Sequence, residues 1–339
     1  LYGAVYGSDA MRAVMGERAY LAGMLAFEAA LARAQARLGL IPAEAAAAIT
    51  KAADVDRLDL PTLAAATRNM GFPTVVGLVK QLSALAGPEA ERWTHWGATT
   101  QDVLDTALVL QLRNAIALFA DDLDRLIAAL AALARRHRDT VMAGRTHAQQ
   151  ALPITFGYKV ALWLDPLVTM RERLAQLRPR LLRVQFGGAV GTLASLGADG
   201  PRVAAELAKE LDLAVPAITW HVARDAVAEL GCWCAMLGGT LAKPATDVMW
   251  LMQSEVGEAS DRPCRARRGW RRCWTRRRSR FSPTPRAISA PPPPSPMRCW
   301  PASQCEAMAR SSVSTAQERL NGLARKAAPG SARFGSASR

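Results

Sequence analysis

Apolar residues recur at helical spacing through most of the chain. In ERAYLAGMLAFEAALARAQARLGLIP, positions Leu21, Met24, Leu25, Glu28, Leu31 and Leu38 follow the i, i+3, i+4, i+7 pattern of one helix face, and GLIP ends the run. Short helices separated by Pro61, Gly71 and Pro73 fill the span to about residue 92, which predicts a small helical domain over 1–92. The clearest stripe follows: Leu104, Leu108, Leu112, Ile116, Phe119, Leu123, Leu126, Leu130 and Leu133. It predicts a helix from Val103 to Arg136, with Asp102 in the first turn and Arg135, Arg136 and Arg138 in the last, both suited to the helix dipole. Such a helix is about 50 Å long at 1.5 Å per residue and needs long partners to cover its stripe. The partners are expected at 153–185 and 221–256, the latter interrupted and bent at Gly238, Gly239 and Pro244. The fold class read from this pattern is all-α, with a long-helix bundle over 93–258, shared between subunits.

Composition splits the chain in two. Half of all residues are apolar and aromatics are 6%, which favours helices over sheets. The formal net charge is +14, yet residues 259–339 hold 18 Lys and Arg against 3 Asp and Glu, while 1–258 hold 25 against 26. The segment 259–339 also carries 10 of the 20 prolines and 4 of the 6 cysteines. With no helical stripe and no alternation it cannot bury enough surface to fold, so disorder is expected there. Its arginine runs at 265–280, with Trp270 and Trp274 between them, are compatible with phosphate contacts and base stacking. The near-neutral body argues against nucleic acid as the main partner. The most apolar stretch, CWCAMLGGTLAKPATDVMWLM, contains Lys243, Pro244 and Asp247 and falls short of a membrane span. Cys232 and Cys234 are two apart, and the other cysteines have no CxxC spacing or nearby histidine, so no disulfide framework or metal site is expected. A cytoplasmic protein is the default expectation.

Three stretches are more polar than bundle packing requires. In HWGATTQDVLDT, from His95, Gly97 gives a turn, and Thr99, Thr100, Gln101 and Asp102 cluster at the start of the long helix. Hydroxyls and free N–H groups there suit a carboxylate ligand, and they equally suit a simple N-cap. In GRTHAQQALPITFG, His147 follows Arg145 and Thr146 and precedes Gln149 and Gln150, near the head of an expected helix. Histidine titrates near neutrality and can pass protons; a lone one there is also an ordinary structural residue. In WHVARD, His221 and Arg224 lie one helical turn apart, fit for a shared ligand, a solvated face or an internal ion pair.

Together the three stretches resemble the signature regions of the fumarase/aspartase superfamily, in order and spacing, over about residues 1–258. The resemblance implies an all-α homotetramer whose active sites are built at subunit junctions from three chains, with neither cofactor nor metal. It implies removal of a proton next to a carboxylate of a small polycarboxylate substrate, and protonation of the departing atom. By position, His147 would be the general acid; Thr146 and Gln149 would hold substrate; Thr99 and Thr100 would bind carboxylate and Asp102 would orient them. His95, Gln101, Arg145, His221 and Arg224 fall in the same substrate-binding regions. The runs NMGFPTVVGLVKQL, LVLQLR and QFGGAVGTLASLG look like the muconate cycloisomerase branch. An adenylosuccinate lyase would offer an arginine in YGSDAM and a His-Asp pair in the first of those runs, and neither is present.

The family's third signature, a loop reading Ser-Ser-x-Met-Pro-x-Lys-x-Asn-Pro that supplies the catalytic base, should follow LMQSEVGE, and no such run occurs. Out-of-frame translation of a GC-rich gene from about Ala259 would produce the observed composition. Reading the nucleotides across codons 250–290 tests this. The expectation is an incomplete bundle, an aberrant tail and impaired activity.

Overall fold

The computed structural model describes residues 7–70, 75–254 and 256–259. Those residues are predominantly helical. The helices are α1 (Asp9–Met15), α2 (Glu17–Arg37), α3 (Ala43–Ala52), α4 (Leu60–Met70), α5 (Val76–Ala86), α6 (Pro88–Glu91), α7 (Thr100–Arg136), α8 (Phe156–Leu181), α9 (Gly200–Leu211) and α10 (Asp225–Leu251). Two strands, β1 (Val141–Thr146) and β2 (Gln149–Thr155), form an antiparallel pair between α7 and α8. The chain divides into two compact units, Leu1–Ala128 with Leu167–Met236, and Ala129–Pro166 with the residues from Leu237 onward. The expected disordered tail at 259–339 lies outside the described residues beyond Ala259.

The first unit is built around α2. The helix starts with Glu17 in its first turn, ends with Arg37 in its last, and is rich in alanine, the best helix former. It stops in a paired C-terminal motif: Gly39, at φ 73°, donates to Ala36, and Leu40 donates to Gln35. Its buried face carries Leu25, Phe27 and Leu31 into a core shared with Ile49 of α3, Leu78 and Leu82 of α5, Val103 and Ala107 of α7, and Val203 and Leu207 of α9. At Gly23 the backbone of α2 lies close to α7, since a Cβ there would stand 3.2 Å from Ala107. Surface ion pairs from Arg33 and Arg37 to Glu206 and Glu210 tie α2 to α9.

The long helix begins at Thr100, three residues before the expected Val103, and ends at Arg136 as expected. The early start has a cause. Thr99 donates its N–H to Asp102 Oδ2 at 3.1 Å, while the Thr99 carbonyl accepts from Asp102 and Val103, which closes the first turn.

In the second unit the hairpin replaces the expected head of a helix. Val141 to Ala143 pair with Thr155 to Pro153, and Arg145 and Thr146 pair with Gln150 and Gln149, with an irregularity where Gly144 faces both Ala151 and Leu152. A Cβ at Gly144 would meet the Leu152 carbonyl at 2.5 Å, so only glycine fits. Helix α8 then starts at Phe156, capped by Thr155 Oγ1 accepting from Tyr158 N–H at 3.1 Å. Asp247 of α10 accepts from Trp163 Nε1 at 2.7 Å and pairs with Lys159 at 3.1 Å and Lys243 at 2.5 Å. Burial raises the Asp247 carboxyl, and these three donors outweigh it and hold it below the ordinary range. Helix α10 is continuous through Gly238, Gly239 and Pro244, so the expected interruption does not end it. No helix among the described residues is long and apolar enough to cross a membrane.

Candidate active site

Two of the three polar stretches meet in the first unit, through a residue to which the sequence analysis assigned no role. Asp102 is fully buried, and its carboxylate accepts four hydrogen bonds. Oδ1 takes Gln185 Nε2 at 3.0 Å and the Gly187 N–H at 2.9 Å; Oδ2 takes the Gly188 N–H at 2.9 Å and the Thr99 N–H at 3.1 Å. Burial pushes the Asp102 carboxyl up, and the four donors only partly offset that.

Gln185 is the link. It is 0% exposed and uses its whole amide: Nε2 also donates to Thr219 Oγ1 at 2.6 Å, and Oε1 accepts from the Trp220 N–H at 2.8 Å. Its backbone N–H and carbonyl both pair with the Thr106 hydroxyl at 2.9 Å. Trp220 Nε1 donates to the Val184 carbonyl at 3.0 Å, and Thr219 Oγ1 lies 3.0 Å from His221 Nδ1. The glycines of QFGGAVG are required by this closeness. A Cβ at Gly187 would lie 2.6 Å from Thr219 Oγ1, and one at Gly191 would lie 2.9 Å from the His221 ring. Segments 95–102, 185–191 and 219–221 are therefore one interlocked polar cluster.

The expected site residues take different places in it. Thr99 and Thr100 are half-buried, and neither hydroxyl has a partner among the described residues, so both remain open to a ligand. Gln101 is exposed. His95 sits at φ 64° in the turn before α7, with Nδ1 2.6 Å from the buried Glu28 Oε1. Burial lowers the His95 pKa, but the hydrogen bond and charge of Glu28, with the charge of Asp102, outweigh it and raise the value overall. His221 and Arg224 do not lie on a helix, because α10 begins only at Asp225 and Gln185 holds the preceding segment open. Arg224 forms an ion pair with the buried Asp105 at 2.7 Å and stacks over Trp220 at 5.4 Å. Nearby Tyr20 is pushed up to about 12, by burial first and Asp105 second, against a lowering by Arg224.

The remaining stretch belongs to the second unit. Arg145 makes a two-pronged pair with Glu258, at 2.9 and 2.8 Å. Thr146 and Gln149 face each other as the last rung of the hairpin, both exposed. His147 and Ala148 form its two-residue tip, at φ 50° and 59°. That conformation favours glycine or asparagine; for histidine and alanine it carries strain of about 1–2 kcal/mol each. The His147 ring is exposed and has no partner among the described residues. The two-residue turn itself demands positive φ at both positions, whatever side chains occupy them.

Sequence reasoning placed Glu28 on the apolar stripe of α2 and gave it no chemistry, and it quoted Gln185 only within a longer run. The signal for Glu28 was available: an acid on a face otherwise directed at the core.

Comparison with known proteins identifies the family. A model of the lyase family matches residues 5–265. The 3-carboxy-cis,cis-muconate cycloisomerase of Pseudomonas aeruginosa is 48% identical over 272 residues, covering 79% of this chain and 59% of its own length. The crystal structure of 3-carboxy-cis,cis-muconate lactonizing enzyme from Pseudomonas putida aligns with TM-score 0.74 at 45% identity, over 76% of this chain and 59% of that one. A fumarate lyase from Mesorhizobium sp. BNC1 aligns with TM-score 0.72 at 51% identity, over 76% and 60%. The chain spans about three fifths of the length of these relatives.

Proposed function

The chain belongs to the lyase family of the fumarase/aspartase superfamily, and on that premise we propose that it acts on a small polycarboxylate in the manner of a 3-carboxy-cis,cis-muconate cycloisomerase. The observation that carries the reading is the buried Asp102 cluster. It fixes the start of α7, so that the Thr99 and Thr100 hydroxyls and the helix N-terminus are ready for a carboxylate before substrate arrives. Donors fixed in advance stabilise the negative charge that spreads onto the carboxylate oxygens when the adjacent carbon becomes carbanion-like, at no reorganisation cost in the reacting step. The carbon reaches that state by losing a proton in elimination, or when an internal carboxylate adds to the double bond in cyclisation and the acid then protonates the carbon. In this reading His147, on its strained and exposed tip, is the general acid and Thr146 and Gln149 beside it contact substrate; His95, His221 and Arg224 are substrate contacts contributed by other copies of the chain at a subunit junction.

The reading extends to assembly and to a defect. Val190, Ile218 and Val222, beside the cluster, are 74%, 77% and 80% exposed, which supports coverage by further copies in a homotetramer. Residues 1–92 are the N-terminal helical domain, 93–258 an incomplete bundle, and 259–339 an aberrant segment. The family match ends at residue 265, and no Ser-Ser-x-Met-Pro-x-Lys-x-Asn-Pro run follows it. A chain without its base loses about 10²–10⁴-fold in rate.

The test is conversion of 3-carboxy-cis,cis-muconate, followed by proton NMR beside a full-length relative, with binding measured by equilibrium dialysis. Binding with slow turnover that His147→Asn abolishes is the expected result. Turnover equal to the relative's would refute the defect. Binding of adenylosuccinate in place of the muconate, or of neither compound, would refute the substrate class.

A further inference from the structure

Helix α2 carries two polar residues on its buried face, seven positions apart: Glu28, 1% exposed, and Gln35, 0% exposed. Both reach the same turn. Glu28 Oε1 holds His95 Nδ1 at 2.6 Å, and Gln35 Nε2 donates to the Trp96 carbonyl at 2.7 Å. The turn they hold has His95 in the left-handed region. As a device for stability this is poor design. A carboxylate set in an apolar core is costly to desolvate, and apolar residues of similar volume usually serve the fold at least as well. Here the second oxygen, Glu28 Oε2, is buried with no partner, and the backbone at His95 is strained besides. Costs that accumulate around one ring indicate that the ring is used. His95 is half-buried, and Nε2 has no partner among the described residues and is not enclosed.

We propose that Glu28 is a positioning residue for His95: it fixes the ring through Nδ1 and sets a carboxylate behind it that favours the doubly protonated form, so that Nε2 is presented as a donor to a carboxylate of the bound ligand. The proposal rests on the polycarboxylate reading above. The charged groups that act on the ring are Glu28 from α2 and Asp102 from α7. Gln35 fixes the peptide one residue further on, so the donor's place is set by two anchors on one rigid helix.

Four histidines, His95, His137, His147 and His221, make the ring signals separable by NMR, with assignment by single substitution. Glu28→Gln keeps the shape and removes the charge. Without ligand, it should move the His95 titration to lower pH. With tricarballylate as probe, it should weaken binding about tenfold, the loss of one charge-assisted contact. A His95 titration unmoved by Glu28→Gln overturns the proposal, whatever tricarballylate does. If Glu28 governs the titration but tricarballylate moves neither His95 nor any other histidine signal in the wild type, the polycarboxylate reading fails, and the pair is left as part of the fold. If Glu28→Gln does not fold, the wild type decides. His95 must still carry both ring protons well above pH ~6.5, the midpoint of a free side chain; a neutral ring there overturns the proposal.

Discussion

The two regions that carry the site residues are built on opposite terms. Around Asp102 both carboxylate oxygens and the whole Gln185 amide are matched, and the close approaches at Gly187 and Gly191 leave no room for a side chain. At the hairpin tip, His147 has no side-chain partner among the described residues, is exposed and pays for an unfavourable backbone. A pre-built receptor needs rigidity, which comes from complete hydrogen bonding inside a low-dielectric core. The proton-carrying role proposed for His147 needs access, which a two-residue turn supplies at the cost of strain. The contrast predicts that the same kind of substitution has opposite effects in the two places.

The largest effect is expected at Asp102. Asp102→Ala strands the N–H groups of Thr99, Gly187 and Gly188 and one amide hydrogen of Gln185, and should cost about 3 kcal/mol or more in urea unfolding. A loss under about 1 kcal/mol would mean that the cluster is not the rigid element described. Next is the anchor of the hairpin. Arg145→Ala and Glu258→Ala should each cost about 1–2 kcal/mol, and the double variant little more than either, because both remove one shared pair. Additive losses in that cycle would show that the two side chains act separately.

At the tip the sign reverses. His147→Gly should stabilise the chain by about 1 kcal/mol, by relieving the left-handed strain, while removing the group assigned as acid. Ala148→Gly should give the same gain with the acid retained. A destabilising His147→Gly would show that the ring makes contacts that keep the hairpin folded. The smallest effect is one of pH. The His95 pKa is raised in the fold, so the contribution of its pair with Glu28 is complete below the unfolded histidine value and disappears as pH rises through the folded one. The stability difference between wild type and Glu28→Gln should therefore change in favour of the variant as pH rises. A difference that is flat across that window would separate the pair from stability altogether.

Much of this contrast could be read from residues, and the parts that could not have physical reasons. The α7 stripe runs unbroken from Leu104 to Leu133, so the helix was legible to within three residues of its start. The hairpin was not. Its strands are six and seven residues long, β2 contains Pro153, and its tip is His-Ala where Asn-Gly would have signalled a two-residue turn. The start of α10 was expected at residue 221 because HVARD has helical spacing, but Gln185 holds Trp220 from a distant part of the chain, and no local pattern encodes that. Thr99, Asp102 and His147 were singled out because short polar motifs contain them, and their proposed roles came from the family resemblance. Glu28 and Gln185 act through other residues, so each looks like an ordinary buried polar side chain until its partners are known.

The most direct measurement is a crystal structure of the chain with tricarballylate. It should place one carboxylate within hydrogen-bond distance of the Thr99 and Thr100 hydroxyls, with residues 185–191 moved by less than about 1 Å, as befits a site built before its ligand arrives. A carboxylate bound elsewhere, or one bound only after the 185–191 segment rearranges and Asp102 loses its donors, would contradict the account.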